Sequence, residues 1–398
     1  NQDIGYYPYQ QTLGYGNYVS GDGMTLPGLV ITDYANSDIT WETTTITNIG
    51  IDFGLFANRL TGTLELFNKV TDDILLQLPI PDMMGDVTAP YKNAGVVRNR
   101  GWEFALNYTD RIGAVDFSIG GNVSQIENKI IDLKGYTFYP SDMTIHTEGS
   151  PVGAFYGYVT QGVFQPMYMA NKPDGTPWPE GSREMTAQQI IDYYAAKQSG
   201  AQPGDFRYAN LYDSPEELAA SGGLGVINSK DREVLGNPFP EFEYSFNVSA
   251  AWKGFDASIM FQGVGNVDIY TLGAANQPGS NDRMNMTTEW LNRSIPDEEV
   301  WTAYPRLAVA NTMNTRPSDF WVKDASYLRL KNIEIGYEFA DKVIKTKHIN
   351  SLRLFISGQN LLTFTKVKNW DPERVSGANG NAAYPQAKSY TIGISAQF

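Results

Sequence analysis

Carboxylates recur at regular places in this sequence, and paired carboxylates are the tools of glycoside cleavage, one supplying a proton while its partner attacks or activates water. Asp52, Glu65, Glu103, Asp116 and Glu334 each stand in a stretch where polar and apolar residues alternate, so in strands they share the polar side. That regularity fits the wall of a wet cavity better than an acid–base pair, whose two carboxyls need different surroundings. Little else supplies catalytic chemistry. The chain has no cysteine, hence no thiol nucleophile, disulfide or Cys-based metal site. Its two histidines, His146 and His348, stand far apart without ligand spacing and read as ordinary surface residues. "GNVSQ" and "GISAQ" are not nucleophile elbows, and no HExxH or glycine-rich phosphate loop occurs. Asp371-Pro372-Glu373 in "NWDPE" reads as a turn out of a strand, because proline after Asp favours extended or turn backbone. The residues point away from an enzyme.

The elements that must hold these side chains are strands. In "TNIGIDFGLF", Ile49, Ile51, Phe53 and Leu55 alternate with Asn48, Gly50, Asp52 and Gly54. The same period of two runs through "LTGTLELFNK", "GWEFALNYT", "AVDFSIGGNVS", "EFEYSFNVSAAW", "FDASIMFQG", "YLRLKNIEIGYEF", "SLRLFISGQNLL" and the terminal "SYTIGISAQF". Nine strands are thus expected, with further pairs in 1–40 and at 151–164. Alternation alone suits a membrane barrel or a soluble sandwich. The links decide. Short ones at 57–59, 110–113, 253–254 and 340–349 take turns with long ones at 72–93, 128–239, 264–326 and 363–385. In an up-and-down meander every short turn then lies at one end and every long loop at the other, as in a transmembrane β-barrel. A Greek-key sandwich has no reason to sort its loops this way.

Composition agrees. Tyr (24), Phe (19) and Trp (8) are abundant and charge is scarce at 19%; Trp41, Trp102, Tyr108, Trp252 and Tyr337 recur towards strand ends, where an aromatic girdle sits. A net charge of −14 without a basic run speaks against nucleic acid as a partner. No stretch approaches the roughly 20 apolar residues of a membrane-spanning helix, which leaves barrels untouched. Within 128–239, "TAQQIIDYYAAKQ" and "SPEELAAS" read as short helices with Thr186 and Ser214 as N-caps.

These segments together resemble a known family, the SusC/RagA-like TonB-dependent outer-membrane transporters of Bacteroidota. "NQDIGYYPYQQTL", "ITWETTTITNIGIDFGLFANRLTGTLELFNKVTDDIL", "GNPFPEFEYSFNVSAAWKGFDASIMFQGV", "SYLRLKNIEIGYEF", "SGQNLLTFTKVKNWDPE" and the terminal strand follow in the family's order. "NAGVVRNRGWEF" resembles its NxGxxxNxGxE pattern through Asn93, Gly95, Asn99, Gly101 and Glu103. The resemblance covers nearly the whole chain. It implies an all-β fold, residues 1–398 forming the C-terminal half of a transmembrane antiparallel β-barrel of about 22 strands, with long external loops carrying short helices.

It also implies active import across the outer membrane of a Gram-negative bacterium. The cargo would be oligosaccharide, or peptide in a sister specialisation; a soluble glycan-binding or glycan-cleaving β protein is the rival of another class. The implied partners are outer-membrane lipid, a SusD-like lipoprotein lid, a TonB–ExbB–ExbD complex, and an upstream plug, TonB box and further strands that are not recognisable in this chain. Because "NQDIG" starts inside the family's pattern, Asn1 is expected to be a break or cleavage point. Tyr390, Ile392, Ile394 and Phe398 are then expected to form a closing seam against an upstream strand. Relatives often carry PGDxxYxDxNGDGxIxxxDR, a spacing suited to a hard cation. Here Asp205, Asn210, Asn228 and Asp231 remain but an insertion breaks the NGDG run, which weakens Ca²⁺ or Mg²⁺ against a plain solvated loop. Trp290, Trp301, Tyr304 and Trp321 are the aromatics available for stacking on sugar rings, or for packing the loops together or against the lid.

Overall fold

The computed structural model describes residues 9–78, 89–164, 200–212, 214–216, 226–271, 286–298, 300–308, 313–339, 351–373 and 384–397, with Tyr7, Ile80, Met83 and Gln198 besides. The chain opens with a hairpin, β1 (Thr12–Val19) and β2 (Thr25–Asp33), and continues with β3 (Thr43–Leu55), β4 (Leu60–Gln77), β5 (Tyr91–Ile112) and β6 (Val115–Asp132). A long excursion follows, carrying β7 (Phe138–Ser141), β8 (Thr144–His146), β9 (Ala154–Tyr158), β10 (Thr160–Val163), β11 (Phe206–Tyr208) and β12 (Arg232–Gly236). After β13 (Phe242–Trp252) and β14 (Phe255–Gly265) a second excursion holds β15 (Asp268–Tyr270) and β16 (Val322–Asp324). The chain ends in β17 (Tyr327–Phe339), β18 (Ser351–Thr365) and β19 (Ser389–Gln397).

The nine strands read from alternation form one antiparallel sheet in the order β19-β18-β17-β14-β13-β6-β5-β4-β3. Skipping the excursions, this is a pure meander. Short turns and long loops therefore sort to opposite ends. The turn between β13 and β14 is Lys253-Gly254, both with positive φ, 47° and 89°, the backbone that a twisted two-residue hairpin demands.

Register turns sequence alternation into two faces. One row runs through all nine strands as Leu55, Leu60, Tyr108, Ile119, Val248, Ile259, Ile333, Gly358 and Tyr390. The adjacent row is Thr109, Ser118, Ser249, Ser258, Glu334, Ser357 and Thr391. A continuous apolar row beside a polar one is what a strand wall needs with lipid outside and water within. On β5 the apolar side holds from Tyr108 through Leu106 and Phe104 to Trp102, roughly 20 Å of strand at about 3.3 Å per residue. Beyond it the same side turns charged: Arg100 pairs with Glu127 at one end, and Asp110 with Arg59 (3.1 Å) at the other. Trp252, Phe255 and Tyr337 meet at the short-turn rim, with Phe255 and Tyr337 rings 4.5 Å apart. β5 is longer than its alternation suggests because its lipid-side parity becomes Arg98 and Arg100 beyond Trp102.

The NxGxxxNxGxE stretch is structural. The Asn93 amide donates to the carbonyls of Thr40 and Asp73 and its oxygen accepts from Thr40 N–H, all at 2.9 Å. The Asn99 oxygen accepts from Asn128 (2.8 Å). At Gly101 a Cβ would fall on the Gln125 carbonyl, so only glycine lets β5 and β6 close there. The expected pair in 1–40 is β1–β2, whose register joins Tyr15 to Leu29. At 151–164, β9 and β10 pair outside the main sheet, β9 with β8 and β12, and β10 with β11. The helix expected in "TAQQIIDYYAAKQ" lies outside the described residues apart from Gln198; that of "SPEELAAS" is seen only as a helical start at Pro215–Glu216. The loops' other described helices are 3-10 turns at Ser229–Asp231, Thr288–Asn292, Pro296–Glu298 and Asp319–Trp321. Among the described residues no helix is long and apolar enough to cross a membrane.

Candidate functional site

The polar face lines a shallow hollow of about 700 Å³ around Asp52, Asn58, Thr63, Asn107, Asn122 and Asn247. The carboxylates singled out in the sequence all lie on this face, and they are spread along it. Asp52 accepts from the Thr63 hydroxyl (2.7 Å), Glu65 accepts from Asn48 (3.2 Å), and Asp116 faces Arg111 (3.5 Å). Glu103 stands opposite Glu65 in the ladder. Near the short-turn end, Arg353 joins Glu334 (2.7 Å) and Asp256 (2.9 Å from Nε). Each carboxylate has a donor, a cation or open water, and none is set apart in a dry pocket as a catalytic acid requires.

At the other end the two excursions pack into one cap. Phe155 from the first joins Tyr270, Trp290 and Trp321 from the second in a buried cluster, and Val163, Phe206 and Tyr208 form a neighbouring one. Backbone and side chain stitch the two together. Tyr158 N–H donates to the Pro317 carbonyl (2.8 Å), and Thr160 donates through N–H (2.9 Å) and hydroxyl (2.7 Å) to Asp319. At Gly157 a Cβ would meet the Pro317 carbonyl, so the approach requires glycine.

Of the four loop aromatics, Trp290 and Trp321 are only 5% and 3% exposed, with ring centroids 6.2 Å apart. Their rings pack in the buried cluster with Phe155 and Tyr270. Tyr304 meets Trp290 edge-on at 5.6 Å and Trp301 borders the Phe206 cluster; both are half-buried and keep some surface. Burial raises the Tyr208 and Tyr270 phenols and lowers the Lys323 ammonium. His146, on β8, is half-buried and likewise lowered by burial; His348 lies outside the described residues.

Three of the four residues of the broken cation pattern serve the loops themselves. Asp205 is fully buried; it accepts from Arg306 (2.8 Å), Asn314 (3.0 Å) and Gln202 N–H (2.9 Å), tying one excursion to the other. Asp231 accepts from Leu211 N–H and Asn228 N–H, both at 2.8 Å, and Asn228 caps the 3-10 turn by accepting from Lys230 N–H. Asn210 is exposed. Among the described residues no group of three or more His, Cys, Asp or Glu is placed to hold a metal ion.

A groove of about 560 Å³ opens where the polar face meets the long loops, lined by Arg329, Asn360, Lys368, Trp370, Tyr384 and Lys388 among others. Arg329 belongs to the polar face, in register with Gln262 and Thr363. Its guanidinium holds Asp371 (2.6 Å) and Glu373 (2.7 Å), so "NWDPE" is the clasp that folds the loop back on the wall. Sequence reading placed the motif as a turn but missed Arg329 as its partner, because nothing local links two residues 42 apart. The basic spacing in "TKVKNW" was the available signal for the groove.

Comparison with known proteins places this architecture. Residues 4–361 match the family described as TonB dependent receptor-like, beta-barrel. TonB-dependent receptor P3 of Formosa agariphila is 30% identical over 397 residues, covering 93% of this chain and 36% of that protein. TonB-dependent receptor SusC of Bacteroides thetaiotaomicron is 25% identical over 372 residues, 91% of this chain and 32% of that one. The chain thus spans about a third of the length of the curated relatives it matches. The RagAB peptide importer shares the fold with a TM-score of 0.71 at 22% identity, covering all of this chain and 39% of its counterpart. With its lipid-facing and polar rows and its loops sorted to one end, the chain belongs to the TonB-dependent receptor-like β-barrel family.

Proposed function

We propose that the chain forms part of the wall and external vestibule of an outer-membrane transporter that imports oligosaccharides. The observation that carries this reading is the joining of a polar wall to an aromatic-rich loop cap through the Trp370 groove. Such a surface offers ring faces for sugars and amides for their hydroxyls without a catalytic pair. Trp301 and Tyr304 are the loop aromatics proposed to touch cargo, with Trp290 and Trp321 holding them in place. A SusD-like lipoprotein closes over the cap, and TonB–ExbB–ExbD acts on a plug contributed upstream. The exposed row Tyr390, Ile392 and Ile394 on β19 pairs through its strand with an upstream strand of the same barrel; Phe398, expected in this seam, lies outside the described residues.

The peptide reading is the alternative, favoured by the fold shared with an importer described as carrying peptides. Binding to the full-length transporter with its lipoprotein, measured on a neutral and acidic glycan panel beside a peptide panel, decides between them. Saturable binding of glycans alone is expected; binding of peptides alone overturns the reading. A full-length protein that stays monodisperse in plain buffer without amphiphile would overturn the membrane reading as well.

A further inference from the structure

We infer that the groove beside Trp370 selects acidic saccharides, oligosaccharides that carry carboxylate or sulfate groups. The inference rests on the glycan reading above and adds the charge of the cargo. Among the described residues, five cations line this groove and the smaller cavity that shares Val367, Lys368, Asn369 and Trp370 with it: Lys323, Arg329, Lys366, Lys368 and Lys388. Among the described residues, the carboxylates lining the two cavities are Glu289 and Asp371. This occurs in a chain whose formal net charge is −14.

The pairings sharpen the count. Arg329 is taken by Asp371 and Glu373, and Lys366 by Asp324 (2.9 Å). Asp371 in turn is engaged with Arg329, and it also accepts Gln386 N–H (2.7 Å) and Glu373 N–H (3.0 Å). Lys368 and Lys388 are exposed and form no ion pair among the described residues. They flank the groove with Trp370 and Tyr384, the latter 88% exposed. A cleft that keeps uncompensated cations focuses field on an entering anion and rewards it over a neutral analogue.

Geometry selects the sugar among anions. Trp370 and Tyr384 supply ring faces, and Asn369 and Gln386 supply side-chain amides for hydroxyls. A lipid headgroup is on the wrong side, since Arg329 and Thr363 are on the polar face while Leu362 and Phe364 take the other parity. Through Trp370 the two cavities run from the Trp290–Tyr304 cap to the wall, a path from capture to lumen.

The test compares galacturonic acid hexamer with its methyl ester, the same sugar without charge, together with a sulfated hexamer and a hexaglutamate peptide. Calorimetric binding is measured on the full-length transporter with its lipoprotein, wild type and the double variant Lys368→Gln/Lys388→Gln. The acid and sulfated hexamers are expected to bind about tenfold tighter than the ester, the order of two favourable ion contacts, with the preference falling as salt rises. The double variant is expected to lose that ratio while keeping its affinity for the ester, which also shows that it folds. Equal binding of acid and ester, or an unchanged ratio in the variant, overturns the inference and leaves glycan import standing. Binding of hexaglutamate alone overturns both.

Discussion

Arg329 on β17 and Asp371 in the loop after β18 form an ion pair of 2.6 Å with side chains only 3% and 5% exposed. A pair taken this far from water is costly to break from one side, because the survivor stays buried without its counter-charge; roughly 3–5 kcal/mol is the usual penalty. Glu373 also bonds Arg329, so Asp371→Asn is expected at the low end, about 3 kcal/mol. Limited proteolysis of the 366–388 segment in the full-length protein reads it directly. Cleavage is expected to quicken about 100-fold if opening is in fast equilibrium. Unchanged cleavage would mean that the clasp does not hold the loop.

The same pair makes the loop sensitive to acid. Burial alone would raise Asp371, but hydrogen bonds from Arg329 and from the Gln386 and Glu373 N–H groups outweigh it and hold the carboxyl below its usual range. A depressed carboxyl contributes its full stability above the unfolded value of about 3.9 and loses it as pH falls through the folded value. Proteolysis by an acid-active protease is therefore expected to accelerate only below about pH 4. Asp371→Asn should flatten this rise, and a variant with the wild-type profile would assign the acid response elsewhere.

Gly157 offers a cleaner probe of the cap. Its missing Cβ lets β9 lie against Pro317, whose carbonyl accepts from Tyr158 N–H at 2.8 Å. Gly157→Ala should cost about 1–3 kcal/mol by overpacking and speed exchange of the Tyr158 amide proton. Gly265→Ala is the control, since there a Cβ would meet only ordinary contact, 3.6 Å from Phe242. Equal effects of the two would show that the excursions do not rely on this contact.

The wall was legible from sequence because one physical rule writes it. A strand between lipid and water must alternate, so Ile259 and Ser258 could be assigned to faces without knowing any partner. The cap obeys no such rule. Its strands, such as β11 and β15, are three residues long, too short for a period. Trp290 and Trp321 are buried in a cluster that Phe155 joins from a different excursion. Asp205 belongs to a broken cation pattern that is read from local spacing alone, whereas Arg306 and Asn314, which bond its carboxylate, are about a hundred residues away. Local patterns reveal faces; contacts between distant loops appear only once the meander has brought them to one end.

The face assignment itself can be put at risk with two neighbouring residues. Ile259 sits between Val248 and Ile333 in the apolar row, and Ser258 between Ser249 and Glu334 in the polar one. Arginine at 259 must place its charge in hydrocarbon, costing about 2–4 kcal/mol near the bilayer midplane. Arginine at 258 meets water and the Glu334 carboxylate, and should cost close to nothing. Denaturant titration of the full-length barrel refolded in lipid vesicles measures both. Ile259→Arg is expected to lower the folding midpoint and Ser258→Arg to leave it in place; the reverse order would turn the wall inside out and take the lumen, the groove and the transport reading with it.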